Sequence, residues 1–228
     1  MANTPRPIRM QILNSLRAAL PDPASLNGIP SRPGRPKTTY LEELDKIAAR
    51  RFRDNQAGAV SVSGRALPLV YKLISTLIAP PHRYAVLVVD VDGRFDPTCL
   101  TCDNDDGDSQ GDNAVRHVYV QRPARASPEH LRALVADAEA FMLYDASARP
   151  SRARPWWGTI VVGGGGLGVG DVVAAWKGWL RVDRAEVPSF ALGITADEAL
   201  AQREARQDAV DAAGWAATSP WGSFVFHE

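Results

Sequence analysis

The segment YAVLVVDVDGRFDPTCL, residues 84–100, runs from apolar residues into two aspartates, Asp90 and Asp92, followed by Gly93 and Phe95. A buried parallel strand delivers carboxylates to the edge of a nucleotide site in this way. There they can orient a water or a metal-bound phosphate. Their bland alternative is to cap the turn DGRFDP, where Gly93 and Pro97 supply the turn geometry.

A phosphate site also needs a loop. Its glycines let backbone N–H groups surround the phosphates, a lysine supplies charge, and Ser or Thr holds magnesium. The place for it, between the first core strand and its helix, reads SVSGRALPLVYKL over 61–73. Only Gly64 is present, followed by Arg65 and Ala66 where lysine and threonine would be expected. Arg65 can meet a phosphate as a cation, but it cannot rebuild the cradle. Loss of nucleotide hydrolysis is the expectation, with no cofactor.

Other motifs are weaker. GGGGLGVG matches G-x-G-x-x-G at Gly163, Gly165 and Gly168, but a glycine run satisfies many patterns, and a flexible loop is the plainer reading. Cys99 and Cys102 form a lone C-x-x-C, too few ligands for structural zinc and expected to be small buried residues. The acidic stretch CDNDDGDSQGDN lacks the glycine and glutamate of a calcium loop and reads as a solvated insertion. RPSRARPWW sets Arg149, Arg152 and Arg154 beside Trp156 and Trp157, a grouping that suits phosphate contacts and base stacking on single strands. Trp157 also begins an apolar strand and reads as core. Lys177, Arg181 and Arg184 in WKGWLRVDR form a second basic patch with strand-like spacing. Tryptophans such as Trp176 and Trp179 in this half are candidate interface anchors. His82, His117, His130 and His227 follow no catalytic spacing.

These groups need elements to hold them. Helical apolar spacing covers 8–20, and a proline-rich linker follows. Strands are expected over 57–64, 84–92, 114–123, 157–164 and 222–228. Helices are expected from the capping threonines Thr38 and Thr39 through 54, and over 67–79, 128–143 and 196–210. Alternation of this kind gives a largely parallel sheet covered on both faces, with an antiparallel edge at the end. Lys and Arg balance Asp and Glu at 26 each, so nucleic-acid binding must come from a local patch. Two cysteines suit a reducing compartment, and no apolar run is long enough for a membrane span or signal core, so a soluble intracellular protein is expected.

VVDVDGRFDPTCL resembles the second core strand of eukaryotic RecA-type recombinases and their paralogues, with Asp90, Asp92, Gly93, Phe95, Pro97 and Leu100 at the recurring spacing. Asp92 falls where active members use a glutamate to activate water. LEELDKIAARRFRDNQAGAVSVSG, with Leu44 and Asp45, is similar to the family's approach to its first strand. The loop that should follow Gly64 looks deleted or eroded. VVGGGGLGVGDVVAAWKGWLRVDR resembles the segment spanning the second DNA-binding loop and the next strand, ending at Arg184, with a loop much shorter than in filament-forming recombinases. Gly163 or Gly164 stands where a magnesium-binding aspartate is expected, and Asp145 is a substitute candidate.

The resemblance covers roughly residues 40–190. It implies an α/β fold of the RecA-like, P-loop NTPase type over 39–228, behind an N-terminal helix (1–20) and a proline-rich linker (21–38). Gly64, Arg65, Asp90 and Asp92 would be a vestigial nucleotide site. The nearest kind of member is the small, catalytically degenerate paralogue of Shu-type complexes. Such a protein is a nuclear, non-enzymatic factor of homologous recombination. It pairs with a second recombinase paralogue and a SWIM-domain protein, binds single-stranded or forked DNA, and supports recombinase filaments. The alternatives are a RecA-like scaffold of the Elongator-accessory type or a residual ATPase using Arg65 and Asp92.

Overall fold

The structure is a computed structural model that describes residues 34–101, 114–124, 127–144, 151, 153–164, 169–187, 189 and 193–227. The helix expected over 8–20, most of the linker, the acidic insertion at 102–113, Asp145, Arg149 and Arg152 lie outside the described residues.

Eight strands form one sheet: β1 (Val60–Gly64), β2 (Ala85–Asp90), β3 (Val118–Gln121), β4 (Trp156–Val162), β5 (Val172–Ala174), β6 (Leu180–Arg184), β7 (Trp215–Ser219) and β8 (Gly222–Phe226). Their spatial order is β3-β2-β4-β5-β1-β6-β7-β8. All pairs from β3 to β6 are parallel, whereas β7 runs antiparallel to both β6 and β8. The mostly parallel α/β sheet and its antiparallel edge agree with the expectation from sequence.

Helices cover both faces of the parallel part. All six residues of β2 are buried, because alternate side chains enter two different cores. Val86 and Val88 join the cluster containing Leu69, Leu73, Ile74 and Leu77 of α2 (Leu67–Ile78). Ala85, Leu87 and Val89 meet Val135, Ala138 and Met142 of α3 (Pro128–Tyr144). Burying one Val or Leu side chain contributes about 1.5–3 kcal/mol, so a shift of one residue in β2 would misplace every contact on both faces.

Local chemistry moves some boundaries. The helix expected from Thr38 is α1 (Glu42–Asn55), and the threonines do not cap it. Instead Asp45 accepts from the Thr39 N–H (2.8 Å), the Thr39 hydroxyl (2.7 Å) and the Tyr40 N–H (3.1 Å), folding the preceding chain back over the first turn. Pro68 sits in the first turn of α2, where its missing N–H costs nothing. The Ser127 hydroxyl accepts from the His130 N–H at the start of α3.

The helix expected over 196–210 breaks at Gln202 into α4 (Ala196–Ala201), opened by a Thr195/Glu198 capping box, and α5 (Arg203–Ala213). The strand-like spacing across 176–184 spans a turn, 175–179, and then β6, because Gly178 lies against the backbone of Ser61 and Val62. Cys99 is exposed, which corrects the expectation that it is buried. No helix among the described residues is long and apolar enough to cross a membrane.

Candidate functional site: a cleft at the carboxyl ends of the strands

Ligands of open parallel sheets bind outside the carboxyl ends of the strands. At that end lies a cleft of about 410 Å³, walled by Gly64 of β1, Asp92 and Arg94 beyond β2, Val162 to Gly164 at the end of β4, Ala174 to Trp176 after β5, and Arg181 of β6. Ala66 and Leu67 at the head of α2 complete it.

Only Arg65 and Ala66 join β1 to α2. Gly64 takes φ +74°, and a Cβ there would collide with the Val182 carbonyl of β6. The Arg65 N–H donates to that same carbonyl at 2.7 Å. An amide that a phosphate loop would aim into the cleft is therefore spent on the neighbouring strand. The Arg65 side chain is exposed.

The two aspartates part company. Asp90, 1% exposed, accepts from the Arg94 N–H (3.0 Å), the Phe95 N–H (3.1 Å) and the Arg122 Nε (3.1 Å). Arg122 also donates to the Phe95 carbonyl at 2.6 Å. Asp90 is the turn-capping residue of the DGRFDP loop and is not among the residues that wall the cleft. The loop is further fixed from α2, whose Tyr71 hydroxyl accepts from the Asp96 N–H and whose ring packs on Phe95. Burial pushes the Tyr71 phenol above its ordinary range.

Asp92 does face the cleft. Its carboxylate lies directly over Gly163, where a Cβ would collide with it, and it accepts a long hydrogen bond of 3.4 Å from the Gly164 N–H. Gly163 holds φ +87°, a conformation that favours glycine. The position where the resemblance expects a metal-binding side chain is thus filled from across the cleft by Asp92. Among the described residues, no three His, Cys, Asp or Glu side chains gather to hold a metal ion.

The described members of the two basic patches, Arg154 and the group Lys177, Arg181 and Arg184, are set apart in the sheet. Lys177, Arg181 and Arg184 are exposed, Arg181 and Arg94 wall the cleft, and Lys177 directly follows Trp176 of the cleft wall. Trp176 stands 71% exposed at the cleft mouth, with Lys177 Nζ 4.2 Å from its ring centroid. An aromatic ring that open to solvent, beside cations, has the make-up of a stacking platform. Arg181 bonds Asp183 at 2.6 Å, and the Arg184 guanidinium lies 4.0 Å over Trp215.

Arg154 precedes β4 at the amino end. It donates to the Ile78 carbonyl at the end of α2. Nearby, buried Ser151 bonds His117 Nδ1 (2.7 Å) and the Tyr119 hydroxyl (2.9 Å). Those contacts tie the described part of the arginine-rich loop into the fold. Trp157 is core, as expected, and its indole donates to the Thr38 carbonyl.

Sequence reasoning missed Arg94, Arg122 and the Asp92–Gly163 contact. Only Arg94, inside the aspartate motif, carried a local signal. Fold and cleft together define an α/β protein with a ligand-sized crevice at the carboxyl ends of its parallel strands. No protein-family model, no curated protein and no solved structure matches the chain.

Proposed function

We propose that this chain is a RecA-like core without its phosphate loop, working by binding rather than catalysis as an accessory factor of homologous recombination. One observation carries the reading. The two segments on which the resemblance rests, β1 ending at Gly64 and β2 running into Asp92, are separated in the sheet by β4 and β5, yet both wall the same cleft. The cleft also lies where a nucleotide would sit in such a sheet. With one glycine and an amide bonded to β6, it lacks the backbone cradle of a phosphate loop.

DNA then belongs to the carboxyl rim. Lys177, Arg181 and Arg184 neutralise phosphates, and Trp176 stacks on a base of a single-stranded or forked substrate. Partners fit the sheet edges, where Val225 of β8 is 57% exposed and Val120 of β3 is 37% exposed. Uncovered edge strands invite pairing or packing. Those partners are a second recombinase paralogue and a SWIM-domain protein, in the nucleus, with a RecA-type recombinase as the filament they support.

Fluorescence anisotropy with labelled fork DNA tests the reading. Binding that weakens in Trp176→Ala and in Lys177→Ala supports it. A chain, alone or with its co-purified partners, that shows no fork affinity overturns it.

A further inference from the structure

The cleft is already charged from within. Arg94 and Arg181 wall it, and among its described lining residues Asp92 is the one acid. That acid lies against Gly163, where the missing Cβ leaves room for its carboxylate, and the Gly164 N–H bonds its Oδ1. The other nearby aspartates are committed elsewhere, Asp90 to its turn and Asp183 to Arg181.

We propose that Asp92 is a built-in anionic plug, occupying the cleft in place of an external oxyanion and keeping polyphosphates out. Arg181 is matched by Asp183, so without Asp92 the Arg94 guanidinium would leave the cleft attractive to phosphate. A carboxylate beside an incoming phosphate opposes it by like-charge repulsion, which salt screens at this exposed position. This repulsion offsets the pull of Arg94, the cleft arginine that Asp183 does not match. Gly163 serves the plug, because its missing Cβ leaves room for a carboxylate that arrives from the opposite wall. The inference rests on the reading of this cleft as a former nucleotide site, but not on DNA binding.

The test is titration of inorganic triphosphate, without divalent cation, into the full chain by isothermal calorimetry. The proteins are the natural chain, Asp92→Asn, Asp92→Ala and Asp92→Asn/Arg94→Ala. Asp92→Asn keeps the shape and the Oδ1 acceptor while removing the charge. Asp92→Ala covers the case in which the amide does not fold. The expected result is at least tenfold tighter binding in the Asp92 variants than in the natural chain, with the gain lost when Arg94 is also removed. A gain of less than tenfold in both variants overturns the plug, as does failure of both folded variants to bind. Fork-DNA anisotropy on the same samples reports separately on the proposed function. Loss there with a positive triphosphate result would sink the DNA reading and leave the plug standing.

Discussion

The Asp92 carboxylate rests on the Cα of Gly163, and the adjoining Gly164 N–H donates to it across a sequence separation of 72 residues. One side of the cleft is thus closed by a side chain from the other. Gly163→Ala places a side chain on φ +87° and a Cβ against the tip of the exposed Asp92, which can swing aside. The expected loss is about 1–3 kcal/mol, chiefly left-handed strain. Asp92→Ala alone should cost under about 1 kcal/mol, as an exposed change. Added to Gly163→Ala, it should recover part of that loss, read from denaturant midpoints. Strict additivity of the two changes would show that the contact is not made.

Asp90 works on the protein side of the same loop. Asp90→Ala strands the buried Phe95 N–H and the Arg94 N–H, and it leaves Arg122 without its carboxylate. A loss of about 2–4 kcal/mol follows, because unsatisfied buried donors bear their full desolvation cost. Arg122→Ala should cost only about 1 kcal/mol, since its side chain is 56% exposed and screened. Thermal unfolding of the two variants gives the ranking. Equal losses would place the energy in the ion pair instead of the turn.

The basic patches should separate by assay. Lys177→Ala should lower the slope of log affinity against log salt by about 0.7–0.9, the share of one phosphate contact, at unchanged stability. Trp176→Ala should weaken single-strand binding by about 1–3 kcal/mol, the worth of one stacked base. Arg154→Ala should do the reverse, lowering stability through its lost bond to Ile78 and leaving the salt slope unchanged. A changed slope in Arg154→Ala would move the interface to the amino end.

Acid should loosen three local structures together. Hydrogen bonding from Lys46 holds Glu42 below its ordinary value, the Thr98 N–H does so for Asp96, and the Thr195 N–H for Glu198. A carboxylate lowered on folding stabilises above its unfolded pKa, and the contribution is lost as pH falls through the folded value. Amide exchange at the first turns of α1 and α4 and in the 96–99 turn should therefore quicken on acidification through the carboxylate range. Glu198→Gln should flatten the response at α4 alone. Exchange rates in all three places that track only the intrinsic pH dependence of amide exchange would refute the linkage.

Much was settled by local pattern. The apolar run 85–89 could only be a strand buried on both faces, and Gly64-Arg65-Ala66 could not make a phosphate cradle however the chain folded. Helices α2 and α3 declared themselves by apolar spacing together with Pro68 and the Ser127-Pro128 start. Other elements stayed hidden for want of such signals. β5 is three residues long and β7, WAATS, is mostly small residues; each is a strand because a neighbour pairs with it.

Tertiary structure alone decided the site. Asp90 and Asp92 are two residues apart and chemically identical, and their roles diverge because one meets Arg122 from β3's end and the other meets Gly163 from β4's. The same holds for Arg154, which precedes β4 and bonds the Ile78 carbonyl, and Arg181, which β6 carries to the cleft wall. Composition and spacing fix which groups a chain owns. Which of them meet depends on the order of strands across the sheet, and that order is set by long-range packing that no short stretch of residues encodes.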